Sequence, residues 1–101
     1  MLFMVKQDGN QKKGGSTSLT DALELGKFYF INQKYDEAVK CFEDINAKSP
    51  GNEDVLYNLG LCYEMIGNTA RAQDCYDNVL ALNRKHKLAK KHLEKLLGIN
   101  K

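Results

Sequence analysis

Two short stretches, Leu25-Gly26-Lys27-Phe28-Tyr29 and Leu59-Gly60-Leu61-Cys62-Tyr63, each place a Tyr three residues after a Leu-Gly pair, and they lie 34 residues apart. Outward from them the same offset pairs Ala38 with Ala72, Cys41 with Cys75, Phe42 with Tyr76 and Ile45 with Val79. A generic amphipathic helix does not match small residues with small and large with large in this way. A period of this length identifies stacked supersecondary units, none of which buries its apolar face alone.

Each unit reads as two helices. Ala22, Leu25, Gly26 and Tyr29 share one face, and after Asn32-Gln33-Lys34 a second stripe of Ala38, Phe42 and Ile45 follows. Leu56, Leu59, Gly60 and Tyr63 repeat the first stripe, Gly67-Asn68 interrupts, and Ala72, Tyr76 and Val79 repeat the second. Gly67 suits a left-handed helix end. Ser49-Pro50-Gly51-Asn52 separates the units, because Pro50 has no amide proton for a continuing helix. A last run, Leu88 to Leu97, returns to the first-helix pattern with Leu93 at the Leu59 position, and Gly98 ends it. Glycine inside a helix costs about 1 kcal/mol relative to alanine, so the recurrence of Gly26 and Gly60 predicts a close helix approach at both.

On these residues the chain resembles the tetratricopeptide repeat family. The pattern is carried by Leu25-Gly26, Tyr29, Ala38, Phe42, Ile45 and Pro50 in a first repeat over 19–52. Leu59-Gly60, Tyr63, Ala72, Tyr76 and Val79 carry it in a second repeat over 53–86, and residues 87–98 resemble a capping helix with Glu94 in the glycine position. Ala22 and Leu56 stand where the family often has an aromatic, and Arg84 replaces the second Pro. The resemblance implies an all-α solenoid, with antiparallel helix pairs in a right-handed superhelix whose first helices line a concave groove for a peptide.

The groove set implied by the family geometry is Leu23, Lys27, Phe30 and Ile31, then Asp54, Tyr57, Asn58, Leu61 and Met65, then Lys91, His92 and Lys95. Read as chemistry, it is an apolar and aromatic strip with a cationic end, suited to a segment with apolar anchors and a carboxylate. Family members that grip the terminal carboxylate of chaperone tails use Lys, Asn, Asn, Lys and Arg. Here Leu23, Lys27, Asn58, Leu88 and His92 hold those places, and only Asn58 has the matching type, so that clamp is not expected. Tyr57 is singled out as an aromatic beside the polar run Asn52-Glu53-Asp54, with no evident intramolecular use.

The chain has 101 residues, 43% hydrophobic and 28% charged, which describes one small globular unit and excludes large catalytic architectures. Residues 1–18 carry a net charge of +2, residues 19–86 of −4 and residues 87–101 of +4. The basic end has no interleaved aromatics, so nucleic-acid binding is not expected, and a lysine-rich solvated helix face accounts for it. Met1 to Val5 is too short for a membrane span or a secretory core, and the odd set Cys41, Cys62 and Cys75 contains no close pair, so a reduced protein of the cytoplasm is expected. Cys41 and Cys75 recur with the scaffold and read as packing residues. His86 and His92 fall on different faces of one helix, and Gly9, Gly14 and Gly15 form no phosphate loop. Neither metal nor cofactor nor catalysis is expected.

Residues 1–18 read as a flexible arm, with Met1 to Val5 free to dock on the body. Two repeats and one helix fall short of the three repeats such arrays usually need, so self-association through an open array end or a stabilising partner is expected. Two functions remain: a module holding a peptide along Phe30, Tyr57, Asn58 and Leu61, or a self-assembling unit with no dedicated peptide site.

Overall fold

The computed structural model describes residues 18–99, which form α1 (Leu19–Ile31), α2 (Tyr35–Lys48), α3 (Glu53–Met65), α4 (Thr69–Leu82) and α5 (Lys87–Leu97). No strand occurs among the described residues. The arm expected over 1–18 lies outside them except for Ser18, whose hydroxyl accepts from the Asp21 amide and caps α1. Asn52 and Asn68 cap α3 and α4 in the same way, from Val55 N and Arg71 N.

The helix ends follow the repeat. At the close of α3, Asn68 N donates to Tyr63 O and Gly67 N to Glu64 O, with Gly67 at φ 81°. This is the double bond of a Schellman ending, for which a left-handed residue is required. The close of α1 has the same bonds, Lys34 N to Tyr29 O and Gln33 N to Phe30 O, but there the left-handed residue is Gln33 at φ 63°. Where Arg84 replaces the second Pro, side chains shape the turn instead. Asn83 donates to Glu53 and accepts from Lys85 N, and His86 Nδ1 accepts from Ala89 N to cap α5.

α1 and α2 form one antiparallel hairpin, α3 and α4 a second stacked on it, and α5 packs on α4. Ala38, Phe42 and Ile45 of α2 join Val55, Leu56, Leu59, Cys62 and Tyr63 of α3 and Ala72, Cys75, Tyr76 and Val79 of α4 in one core, which Ala89 extends into α5. The two glycines explain the fit inside each hairpin. A Cβ on Gly26 would lie 2.6 Å from the Phe42 ring, and one on Gly60 would lie 2.5 Å from the Tyr76 ring. The sequence pattern anticipates a close approach at both places. What closes on the glycine is the flat ring of the partner helix.

Leu25 departs from the stripe expected of it. It is 47% exposed whereas Leu59, its counterpart, is 2% exposed. These positions point away from the glycine face and into the preceding hairpin, which α3 has and α1 lacks among the described residues.

Gly60→Leu should therefore force α3 and α4 apart and cost about 1–3 kcal/mol, read as a lower midpoint in thermal or urea unfolding. A variant that melts with the parent would remove the ring contact from the account. At the end of α1, Gln33→Gly should raise stability by about 0.5–1 kcal/mol, because a left-handed non-glycine residue costs more than the added freedom of glycine in the unfolded chain. A lowered midpoint for Gln33→Gly would show that the glutamine side chain has a stabilising contact instead.

Candidate peptide-binding groove

Side chains link the first helices, which the core sets side by side. Lys27 Nζ lies 3.4 Å from Asp54 Oδ2, linking α1 to α3. Glu64 links α3 to α5, with Oε1 2.8 Å from His92 Nδ1 and Oε2 3.5 Å from Lys95 Nζ. Leu23, Lys27 and Phe30 fall on one face of α1, Tyr57, Leu61 and Met65 on one face of α3, and Lys91, His92 and Lys95 on one face of α5. Leu23, Phe30, Asn58 and Leu61 are half-buried, whereas Ile31, Met65, Lys91 and Lys95 are exposed.

Asp54 is the centre of the polar contacts at the α1 end. Its carboxylate takes Lys27, and Asn58 Nδ2 donates both to its Oδ1 at 3.0 Å and to its backbone carbonyl at 2.8 Å. Lys27 and Asn58 are thus neutralised or satisfied by the chain itself. Phe30 rests edge-on against Tyr35, with ring centroids 5.4 Å apart. At the other end Lys91 is exposed, and Lys95, also exposed, has its Nζ 3.5 Å from Glu64 Oε2.

Tyr57 corrects an expectation, since it has an extensive intramolecular role. Its ring lies 5.0 Å from His86, 6.0 Å from His92 and 6.1 Å from Tyr76. Neighbours in sequence could not reveal this, because the contacts come from α4 and α5, and Tyr57 is the α3 residue against which the start of α5 settles. Burial and then the nearby Glu64 charge raise its hydroxyl pKa. His92 likewise stacks on Tyr76, with centroids 5.5 Å apart. The two histidines therefore meet over one aromatic cluster, and His86 does so from the N-cap before α5 and not from a face of that helix as the sequence suggested.

Glu64 is the residue that sequence reasoning missed. Its side chain is 14% exposed, and besides His92 and Lys95 it accepts from the Tyr76 hydroxyl. Burial pushes its pKa up, but the Tyr76 hydrogen bond, His92 and Lys95 outweigh burial and leave the carboxyl below its usual value. Its place four residues before Asn68 makes it resemble an ordinary surface acid. The available signal was its spacing, three residues after Leu61 and seven after Tyr57, which sets an acid directly on the groove stripe.

On the side away from α5, the Tyr63 hydroxyl donates to Glu43, and Arg71 Nη2 donates to that hydroxyl at 3.2 Å and lies 3.4 Å from Glu43. The guanidinium also sits 5.2 Å from the Tyr63 ring centroid, so this group ties α2, α3 and α4 together. Burial pushes the Cys62 thiol up to about 12 and the Cys75 thiol up to about 11, with Cys75 and Glu43 as the next contributions respectively. Thiols so hard to ionise suit packing rather than attack on a substrate. Among the described residues no group of three His, Cys, Asp or Glu side chains could hold a metal ion, and no helix is long and apolar enough to cross a membrane.

A family model of the tetratricopeptide repeat matches residues 29–96, and the chain belongs to the tetratricopeptide repeat family. Its fold is the all-α solenoid of that family, a protein-interaction module. Among solved structures it is similar to the first tetratricopeptide repeat of Spaghetti (RPAP3) bound to the HSP90 peptide SRMEEVD. The TM-score is 0.71 at 28% identity, covering 74% of this chain and 60% of that one. Among curated proteins it is similar to the Protein SGT1 homolog of Dictyostelium discoideum, 27% identical over 52 residues, which is 52% of this chain. The matched stretch spans only 13% of that relative.

The Glu64 contacts define a pH dependence. A carboxyl whose folded pKa is depressed contributes stability above its unfolded value and loses that contribution as pH falls through the folded value. Unfolding midpoints should therefore decline as pH falls below the ordinary glutamate value of about 4.3, and Glu64→Gln should flatten part of that decline. Parallel curves for the parent and Glu64→Gln would place the acid sensitivity elsewhere.

Proposed function

We propose that the chain is a non-catalytic binding module whose groove holds an extended peptide segment carrying an apolar anchor and carboxylates. The observation that carries this reading is the alignment of α1, α3 and α5 by Lys27–Asp54 and Glu64–His92, which leaves Leu61 and Met65 beside Lys91 and Lys95. The anchor rests on Leu23, Phe30, Leu61 and Met65, while Tyr57, Asn58 and His92 form the floor. Peptide carboxylates meet Lys91, which has no carboxylate partner among the described residues, and Lys95, which is shared with Glu64 but more exposed than Lys27. The similarity to a tetratricopeptide repeat carrying an HSP90 peptide supports a peptide as the ligand class.

Leu23, Leu88 and His92 at the clamp places argue against a grip focused on a terminal carboxylate. Recognition therefore relies on acidic side chains along the peptide as much as on its end. Three free thiols, two of them buried, suit the reducing cytoplasm as the place where this binding occurs.

The peptide SRMEEVD, as free acid and as C-terminal amide, is the first probe in a calorimetric or fluorescence titration. Lys91→Ala with Lys95→Ala, and separately Leu61→Ala, should each weaken binding about tenfold at unchanged helicity, while amidation weakens it less than the double lysine variant. Asp54→Asn should strengthen binding a few-fold, because it removes an internal carboxylate that repels the ligand and releases Lys27 and Asn58. Affinity unaltered by all of these changes, or absent for this and other acidic peptides, would overturn the groove reading.

A further inference from the structure

Both ends of the array depart from the repeat, and they do so in complementary ways. At the α1 end the stacking positions are Asp21, Leu25 and Phe28, which correspond at the 34-residue offset to Val55, Leu59 and Cys62 of α3. The α3 set is buried, whereas Leu25 is 47% and Phe28 59% exposed. A phenylalanine where the regular junction has a cysteine is too large for a second regular hairpin to sit on at the same spacing. It suits a hollow.

At the other end an open, shallow hollow of about 350 Å³ lies along α4 and α5, lined by Leu80, Leu93, Leu97 and Ile99, with Arg84 and Lys90 at its polar positions and Glu94 in the wall. Glu94 stands at the position of Gly26 and Gly60, where each hairpin seats an aromatic ring from its second helix. A side chain there prevents a regular sixth helix from seating its ring. The cleft still offers the apolar walls against which a ring could pack.

We propose that a second copy of this chain fills the cleft, with Phe28 and Leu25 of one molecule entering between α4 and α5 of the next. Asp21 and Glu24, exposed on α1, face Arg84 and Lys90 in this arrangement. The spacing agrees: Asp21 precedes Phe28 by seven residues and Lys90 precedes Leu97 by seven, so parallel helices bring the ion pair and the apolar pair into register together. The contact is heterologous, one end of a molecule against the opposite end of the next, and it extends rather than closes. At about 100° per residue Leu23, Lys27 and Phe30 lie nearly opposite Leu25 and Phe28 on α1, and on α5 Lys95 lies nearly opposite Leu97 while Lys91 is turned about 100° from Lys90. Assembly therefore leaves the α1 side of the groove and Lys95 open.

Sedimentation velocity of the full chain from about 1 µM to about 1 mM tests this, with circular dichroism to confirm folding of each variant. The parent should grow in mass with concentration, while Phe28→Asp and Leu97→Asp alone should each remain monomeric. Mixed in equal amounts the two variants should form a one-to-one dimer, since one keeps a working cleft and the other a working α1 face. A parent that stays monomeric throughout, a Leu97→Asp protein that still self-associates through α1, or a mixture that fails to dimerise would each overturn the proposal. So would association that emerges only when residues 1–17 are removed, because those residues would then be the natural cover of the α1 face.

Discussion

The structure depends on a flat ring lying against a helix that has no side chain at that point. Phe42 on Gly26 and Tyr76 on Gly60 bring the two helices of each hairpin closer than any larger residue would permit. The close contact also fixes where the ring's far edge points. In the second hairpin that edge carries a hydroxyl, and the hydroxyl reaches Glu64, which in turn holds His92 and Lys95. One packing contact therefore sets the position of α5. Phe42 has no hydroxyl and Phe30 stands at the Glu64 position, so the first hairpin has no matching polar link toward α3.

The fold was legible because repetition converts a three-dimensional packing rule into a one-dimensional offset. Gly26 and Gly60, or Phe42 and Tyr76, announce themselves by returning together, and their sizes reveal that helices nest closely. Residues whose role comes from an array end are silent in that comparison. Leu25 obeys the pattern of Leu59 and yet is exposed, since burial there is supplied by a preceding hairpin and not by the residue. Gln33 takes the left-handed conformation of Gly67 because the backbone bonds that end the helix demand it, whatever side chain is present.

The contacts made by the proposed groove residues were not legible in the sequence. Family geometry put Tyr57, Asn58 and His92 on the inner stripe, but charge pairing across helices cannot be read from residue types on one of them. Asp54 pairs with Lys27, and Glu64 engages both His92 and Lys95, so the cationic group left without a carboxylate partner among the described groove residues is Lys91. The concave surface is consequently polarised along its length, with an internally compensated α1 end and a cationic α5 end. On the proposed reading such a surface would orient an acidic peptide as well as hold it, because reversing the peptide would set its carboxylates against Asp54.

Polarity of the groove and polarity of the array have a common direction. If copies join head to tail, each cationic α5 end lies next to the compensated α1 end of the following molecule, so successive grooves repeat the same orientation. Peptide segments carried on one partner chain would then meet sites in series and not in opposition. Binding at one site raises the effective concentration at the next, and weak single-site contacts become strong ones without any new interaction in the groove. A module this small, with two hairpins and a capping helix, would gain from such linkage in two respects: each contact would cover Leu25 and Phe28, which its own described fold leaves about half exposed, and it would multiply a binding surface too short to hold a long segment alone.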